Sequence, residues 1–325
     1  MSTAKYLLTG CAGFVGARTA ELLLAEGHEV VGVDNLNDYY TPTLKVWRLD
    51  RLRQQRGFSF VEMDVGSRAQ VEAVFAQHKF DAVINLAARA GVRASMEDPF
   101  IYQETNAQGS LNLLECMQKS GCKKLVLAST SSLYAGRTPP FRESDPVDTP
   151  ISPYAATKRA AEVMAYTYHH LYKIDVSIVR YFTVYGPAGR PDMSPLRFIN
   201  WIDSGRPLTV FGDGQQKRDF TYIDDIARGT ILALQPVGYE IFNLGGGRQP
   251  VSLLDFIGAI ERSLGKKAVL DFKPFHQADM VETAAVIEKA RTRLGWEPQV
   301  DLAEGVENTV RWFKDNAGWL RAELD

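Results

Sequence analysis

The first half of the chain alternates short apolar runs with longer segments of helical spacing, and this alternation constrains the fold more than any other feature. The runs have the length and β-branched content of buried strands. Parallel strands need helical crossovers, because a hairpin cannot join them. The pattern therefore predicts an α/β fold with a doubly wound parallel sheet. The predicted strands span residues 5–9, 29–34, 58–64, 81–86, 124–129, 175–180 and 240–244.

The alternation weakens in the second half of the chain, where glycine and proline become frequent before helical spacing returns. We therefore predict a dinucleotide-binding domain over residues 1–180, to which the segment 219–247 returns. A smaller C-terminal α/β domain, predicted over 181–218 and 248–325, would bind the substrate.

Charge and composition exclude several classes of function. The 325 residues carry 37 Lys and Arg against 39 Asp and Glu, a net charge of −2, so we expect no nucleic-acid partner. The apolar runs are shorter than a membrane span and no signal-peptide pattern is visible, so we expect a cytoplasmic protein with no membrane partner. Three cysteines without paired spacing and scattered histidines predict neither disulfides nor a metal site.

A glycine-rich turn follows the first predicted strand and opens a helix. Residues 10–16 read GCAGFVG, a GxxGxxG pattern whose glycines bring backbone amides close to a pyrophosphate. Asp34 ends the second strand 18 residues after Gly16, where a carboxylate binds ribose hydroxyls and repels a 2′-phosphate. The pattern therefore predicts an NAD site, with Asp64 and Val65 near the adenine.

A tyrosine and a lysine four residues apart carry the candidate chemistry. Tyr154 and Lys158 fall on one face of a predicted helix that Ser152 caps. A neighbouring ammonium favours the phenolate, so we expect the pKa of Tyr154 to be drawn toward neutrality and the phenolate to act as a general base. The hydroxyl-rich end of the preceding strand, residues 129–134, is placed to bond the same substrate oxygen.

Further motifs accompany this pair, and together they point to one family. The motifs are DNLNDYYTPTLK at 34–45, LAARAGVRASMEDP at 86–99, SPYAATK at 152–158, RYFTVYGPAGRPDM at 180–193 and KRDFTYIDDI at 217–226. With the glycine turn, they make the chain resemble the extended short-chain dehydrogenase/reductase family of nucleotide-sugar enzymes, and within it the UDP-glucuronate 4-epimerases. The resemblance implies a Rossmann fold, a homodimer, and NAD-dependent interconversion of UDP-glucuronate and UDP-galacturonate through a transient 4-keto sugar.

The resemblance also implies the residues of the site. The expected catalytic residues are Thr130, Tyr154 and Lys158. The expected NAD contacts are Gly10, Gly13, Phe14, Val15, Gly16, Asp34, Asn35, Asp64, Val65, Leu86, Ala87, Ala88, Tyr154, Lys158 and Tyr181. The expected UDP-sugar contacts are Arg93, Ser131, Ser132, Thr183, Arg190, Arg218 and Asp279. Within that last set, Ser131, Ser132 and Thr183 are expected around the sugar carboxylate, and the three arginines at the uridine diphosphate.

Related reactions remain as alternatives. Family dehydratases carry an Asp-Glu pair where Ser131 and Ser132 stand here, so dehydration lacks its acid and base. Decarboxylation of UDP-glucuronate stays open, although decarboxylases of the family carry a glutamate at the position of Ser132. Epimerisation of UDP-galactose or UDP-N-acetylglucosamine is the nearest alternative. A non-catalytic regulator of this fold would lack the tyrosine or the lysine, and both are present.

Overall fold

The computed structural model describes residues 3–275 and 280–324. Its centre is a seven-stranded parallel sheet, and the strand order is β11-β6-β5-β4-β1-β2-β3. The strands are β1 (Lys5–Thr9), β2 (Glu29–Asp34), β3 (Phe58–Glu62), β4 (Ala82–Asn85), β5 (Lys124–Thr130), β6 (Asp175–Tyr181) and β11 (Tyr239–Leu244). The chain reverses its direction of winding between β1 and β4, and ligands bind outside the carboxyl ends of strands at such a point.

Helices cover both faces of this sheet. One face packs against α1 (Phe14–Ala25), α2 (Pro42–Arg53), α9 (Ile223–Leu232) and α11 (Glu288–Leu294). The other packs against α3 (Arg68–Gln77), α6 (Gly109–Ser120) and α7 (Pro153–Tyr172). Two short helices, α4 (Ala94–Glu97) and α5 (Pro99–Tyr102), and a π-helical turn (Gln103–Gln108) lead into α6. The predicted α/β class with a doubly wound parallel sheet is confirmed.

A third apolar core lies beyond the sheet, in the C-terminal part of the chain. Its helices are α8 (Ser194–Ser204), α10 (Leu253–Leu264) and α12 (Leu302–Leu324). Its strands are β8 (Pro207–Phe211) and β13 (Val269–Lys273), which pair in parallel. Two further pairs, of two or three residues each, are β7 (Thr183–Tyr185) with β10 (Phe220–Tyr222), and β9 (Lys217–Arg218) with β12 (Val251–Ser252).

Helix α12 also reaches back to the sheet side of the molecule, where it packs on α2. The indole of Trp47 on α2 stacks on Trp319, with ring centroids 5.8 Å apart, and meets Trp312 edge-on at 5.5 Å. Aromatic pairs of this geometry add to the apolar area that they bury. Helix α2 is therefore a place where the two parts of the molecule are joined.

The third strand is shorter than the sequence predicted. It ends at Glu62 rather than at residue 64, because the Asp64 carboxylate accepts a hydrogen bond from the Gly66 amide at 2.8 Å and turns the chain. Among the helices that the structure describes, none is long and apolar enough to cross a membrane. Within residues 3–275 and 280–324, no group of three metal-ligating side chains lies together.

Candidate active site

The glycine turn closes directly over the carboxyl end of β1. Gly10 has a left-handed backbone with φ of +71°, and a β-carbon there would lie 2.8 Å from the amide nitrogen of Ala87. A β-carbon on Gly16 would lie 2.0 Å from the carbonyl oxygen of Gly10. No larger residue fits at either position. The tight turn therefore lets a ligand approach the backbone at the start of α1, where the positive end of the helix dipole favours an anion.

The acidic residues after β2 and β3 are held by backbone and by each other. Asp34 accepts hydrogen bonds from the amides of Ala12 at 3.1 Å and Leu36 at 2.9 Å. Burial raises the pKa of Asp34, and the Leu36 amide and the charge of Lys45 oppose that rise. Asp64 accepts a hydrogen bond from the Asn35 amide group at 2.7 Å, which ties the two strand ends together.

One threonine fixes the ends of β1 and β4, between which the chain reverses its direction of winding. The hydroxyl of Thr9 accepts hydrogen bonds from the amides of Leu86 at 3.1 Å and Ala87 at 3.0 Å. It donates to the side chain of Asn85 at 2.7 Å. The backbone of the predicted Leu86–Ala88 contact is therefore held rigidly beside the glycine turn.

Tyr154 lies at the start of α7, next to the end of β5. Ser152 caps the helix, because its hydroxyl accepts a hydrogen bond from the Ala155 amide at 3.2 Å. Burial raises the pKa of Tyr154, and a hydrogen bond from Thr130 and the charge of Arg190 lower it. The predicted pair of Thr130 and Tyr154 is thus in direct contact.

The predicted direction of the Tyr154 pKa shift was wrong. The positive charge that acts on the phenol is also not the predicted one, that of Lys158. The Lys158 ammonium donates to the Ala128 carbonyl at 2.9 Å, and burial lowers its pKa to about 8, against the charge of Glu162. The pKa of Tyr154 is raised rather than drawn toward neutrality, because desolvation of the phenolate outweighs the nearby positive charge. The opposing charge comes from Arg190, which lies elsewhere in the sequence.

A buried ion pair lies behind α7, the helix that carries Tyr154. Arg180 donates to the Glu162 carboxylate at 2.8 and 2.9 Å, and both side chains are almost fully buried. Ser129 donates to the same carboxylate at 2.6 Å. Tyr134 accepts from Arg180 at 2.8 Å and donates to Asn243 at 2.8 Å. These residues connect β5, β6, β11 and α7, so several motif residues serve to fix the helix that carries Tyr154.

One cavity of about 450 Å³ collects most of the predicted site residues. Every predicted catalytic residue and every predicted NAD contact lines it. Of the predicted substrate contacts, Ser131, Ser132, Thr183 and Arg190 also line it. Arg93 and Arg218 do not: Arg93 lies over the Phe211 ring at 4.3 Å, and Arg218 donates to the Lys217 carbonyl. Asp279 lies outside the described residues.

The cavity also contains residues to which the sequence assigned no role. They are Asn37, Tyr39, Tyr40, Lys45 and Arg89, among others. The Lys45 ammonium donates to the Asn37 carbonyl at 2.5 Å, and burial lowers its pKa to about 8. Most of them belong to the motif at 34–45, so the motif was visible although the individual roles were not.

The buried Nε of Arg89 has no hydrogen-bond partner within the described residues. A buried donor without a partner is costly unless a ligand meets it. This donor, the glycine turn and the Asp34 carboxylate all line the same cavity. The residues present therefore fit a dinucleotide that has a negatively charged pyrophosphate and ribose hydroxyls without a 2′-phosphate.

Comparison with known proteins agrees with this geometry. Residues 6–245 match the model of the NAD dependent epimerase/dehydratase family. The chain belongs to this family. Because the family is NAD-dependent, the predicted cofactor is confirmed, and so is the resemblance found in the motifs.

Similar proteins exist in both sequence and structure. A UDP-glucuronate 4-epimerase of Thermodesulfobacterium geofontis is 58% identical over 317 residues, which cover 98% of each chain. The crystal structure of a Bacillus cereus UDP-glucuronic acid 4-epimerase, in complex with UDP-glucuronic acid and NAD, superposes with a TM-score of 0.90 at 36% identity. That match covers 96% of this chain and 99% of the other. A Thermotoga maritima UDP-glucose 4-epimerase superposes with a TM-score of 0.87 at 31% identity over 96% of this chain and 99% of the other.

Proposed function

We propose that the chain is an NAD-dependent 4-epimerase that interconverts UDP-glucuronate and UDP-galacturonate. The observation that carries this proposal is the contact of Tyr154 with Thr130 in a cavity that Ser131, Ser132 and Thr183 also line. The set supplies a base and several hydroxyl donors for a carboxylate. The full-length similarity to a UDP-glucuronate 4-epimerase agrees with it.

The residues of the chain divide the work as follows. NAD+, when bound, would supply the acceptor and then the donor of a hydride for carbon 4 of the sugar. Tyr154 removes the proton of the 4-hydroxyl and later returns it, while Thr130 holds the oxygen in place. Lys158, fixed on the Ala128 carbonyl, orients the nicotinamide ribose. The glycine turn, Asp34 and the Leu86–Ala88 backbone hold the dinucleotide.

The substrate side must hold the nucleotide and leave the sugar free to turn between its two faces. Arg190 is placed to bind the diphosphate, because its guanidinium lines the cavity next to the rings of Tyr39 and Tyr40. Ser131, Ser132 and Thr183 bind the sugar carboxylate and keep it near the plane of the 4-keto group. Arg93 and Arg218, which do not line the cavity, are proposed to contact the uridine end, and Asp279 stays a predicted substrate contact.

We also propose the division into domains that the sequence predicts. The pairing of β11 with β6 supports the return of 219–247 to the domain of residues 1–180. The apolar core built on α8, α10 and α12 supports a second unit over 181–218 and 248–325, although α11, within the second range, packs on the central sheet. The location of the protein in the cytoplasm stays a prediction from the sequence.

A homodimer is proposed from an apolar surface on neighbouring helices. Phe100 on α5 is 84% exposed, and Met96, Val163 and Tyr166 on α4 and α7 are each about half exposed. Such a patch on packed helices is typical of an interface. Light scattering should show a dimer for the wild type and a monomer for Phe100→Asp. The control Val269→Asp, at an exposed position of β13, should stay dimeric, and a monomeric wild type would contradict the proposal.

The proposed reaction is tested by proton NMR of UDP-glucuronate with the purified protein and no added cofactor. We expect UDP-galacturonate to appear, because the cavity retains NAD through each catalytic cycle. A UDP-pentose as the main product would replace the proposal with a decarboxylase. Turnover of UDP-glucose or UDP-N-acetylglucosamine, with none of UDP-glucuronate, would replace it with a neutral-sugar epimerase.

A further inference from the structure

Arg48 is a buried arginine on α2 that does not line the active-site cavity. Its side chain is only 2% exposed, and it lies between the glycine turn and the loop at 186–193 that carries Arg190. A buried guanidinium needs a partner for each of its donors, because unpaired donors are costly in the interior. The partners of Arg48 therefore show what it holds.

All five N–H groups of Arg48 are used within the described part of the chain. Nε and Nη2 donate to the Ala188 carbonyl at 3.1 and 2.7 Å, and Nη2 also donates to the Gly189 carbonyl at 3.2 Å. Nη1 donates to the Ala12 carbonyl at 3.0 Å and to the Tyr40 hydroxyl at 2.7 Å. These acceptors are neutral oxygens, and four of the five bonds end on backbone carbonyls. The side chain is thus built to position backbone rather than to neutralise a carboxylate.

The acceptors belong to the two parts of the active site. Ala12 lies within the glycine turn, and Ala188 and Gly189 directly precede Arg190, which lines the cavity. Ala188 has a left-handed backbone with φ of +55°, which is unfavourable for a residue with a β-carbon. Such a conformation persists only where surrounding contacts impose it, and the two bonds from Arg48 are contacts of that kind.

Tyr40 makes a second connection between the same two groups. Its hydroxyl accepts a hydrogen bond from Arg48, and the guanidinium of Arg190 lies 5.8 Å from the centre of its ring. Arg190 is further oriented by an ion pair with Asp192 at 2.6 Å. The position of Arg190 therefore depends on Arg48 through the loop backbone and through Tyr40.

We propose that Arg48 is a positioning residue that fixes the 186–193 loop against the glycine turn and so sets Arg190 for binding of the nucleotide sugar. This role rests on the proposed function, since it assigns Arg190 to the substrate. Arg48 does not line the cavity, so it acts through the backbone carbonyls that it holds. A planar five-donor group is required, because lysine offers three donors from a single atom and cannot span both segments.

The test compares Arg48→Gln and Arg48→Lys with Arg53→Gln, a control on the same helix whose exposed side chain pairs with Asp50. We expect KM for UDP-glucuronate to rise about tenfold in both Arg48 variants, as for loss of one or two buried hydrogen bonds, with kcat changed much less. The Arg53 variant should match the wild type in both constants. Circular dichroism establishes that each variant is folded at the assay temperature.

Hydrogen exchange gives a readout that needs no turnover. We expect backbone amides in 186–193 to exchange several times faster in the Arg48 variants, while amides of β6, which is paired on both sides within the sheet, keep their protection. If Arg48→Gln does not fold, Arg48→Lys alone decides. Unchanged loop exchange, or a wild-type KM restored by lysine, would overturn the proposal, because charge or bulk would then suffice. A wild-type protein inactive on UDP-glucuronate would contradict the proposed function and leave the exchange result valid.

Discussion

The two sides of the active site are held in place in different ways. Thr130, Tyr154 and Lys158 stand at the end of a strand and on the first two turns of a helix, with caps and hydrogen bonds to neighbouring backbone. Arg190 stands on an irregular loop that is fixed by Arg48, 142 residues earlier in the chain. The residues proposed for the chemistry therefore lie on regular elements, whereas the arginine proposed to bind the substrate depends on contacts from distant parts of the chain.

This difference matches what each side must do. A proton transfer needs a base within hydrogen-bond reach and in fixed geometry, which strand ends and helices provide. A nucleotide sugar must enter, and its sugar ring must turn within the closed site, which a loop permits more readily than a helix. Substitutions on the two sides should therefore have distinguishable effects, on rate on one side and on binding or product on the other.

The largest effect should come from the base itself. Tyr154→Phe removes the proton acceptor, and we expect kcat to fall about 10²- to 10⁴-fold with the fold unchanged. Conversion of UDP-glucuronate followed by NMR measures the loss. Tyr166→Phe, on an exposed face of the same helix, should keep wild-type activity. Near-normal turnover by Tyr154→Phe would show that the tyrosine is not the base, and the two sides of the site could then not be told apart by an effect on rate.

The next largest effect should fall on stability behind the catalytic helix. Arg180→Met leaves the Glu162 carboxylate buried without its main partner, and we expect a loss of about 3–5 kcal/mol in the free energy of unfolding. Urea denaturation measures this loss. Arg159 contacts the same carboxylate at 3.1 Å but is one-third exposed, so Arg159→Gln should cost less than about 1 kcal/mol. Equal losses in the two variants would show that burial of the pair is not what fixes the helix.

The substrate side should reveal itself in the product. Thr183→Ala removes one hydroxyl from around the sugar carboxylate, so the carboxylate can leave the plane of the 4-keto group and be lost as carbon dioxide. We expect a several-fold rise in UDP-pentose relative to UDP-galacturonate, measured by NMR of the products. Thr167→Ala, at an exposed position on α7, is the control. An unchanged product ratio would mean that Thr183 does not restrain decarboxylation.

The smallest effect should be a shift in the pH profile. The hydrogen bond from Thr130 lowers the pKa of Tyr154, so Thr130→Val should raise that pKa above its wild-type value. Because the base acts when deprotonated, the rising limb of kcat/KM should move to higher pH, and activity at a given pH below that limb should fall. Thr130→Ser keeps a donor and should keep the profile. Identical pH profiles for Thr130→Val and the wild type would show that Thr130 does not affect the pKa of Tyr154.

Much of the site was predictable because its signals are local. The glycine turn, the cap at Ser152 and the spacing of Tyr154 and Lys158 each lie within a few residues, and each is set by backbone geometry. The structure brings these predicted residues to one cavity. Two predicted substrate contacts, Arg93 and Arg218, do not line that cavity.

The tyrosine pKa shows why other parts were not predictable. Sequence spacing placed a positive charge four residues from Tyr154, but the balance between desolvation and charge depends on what surrounds the phenol. Burial, a threonine from β5 and an arginine from the 186–193 loop decide its direction. None of these contacts can be deduced from the four-residue spacing of a helix motif.

The sequence by itself determined the parallel sheet, and it predicted the NAD cofactor and the residues proposed for its site and for the base, because apolar periodicity and short motifs act over a few residues. Only the tertiary structure decided how those parts meet. The joining of the glycine turn to the Arg190 loop by Arg48, and of α2 to α12 by Trp47, depends on groups far apart in the chain. Such contacts arise from packing and from the need to pair buried donors, which no local pattern encodes.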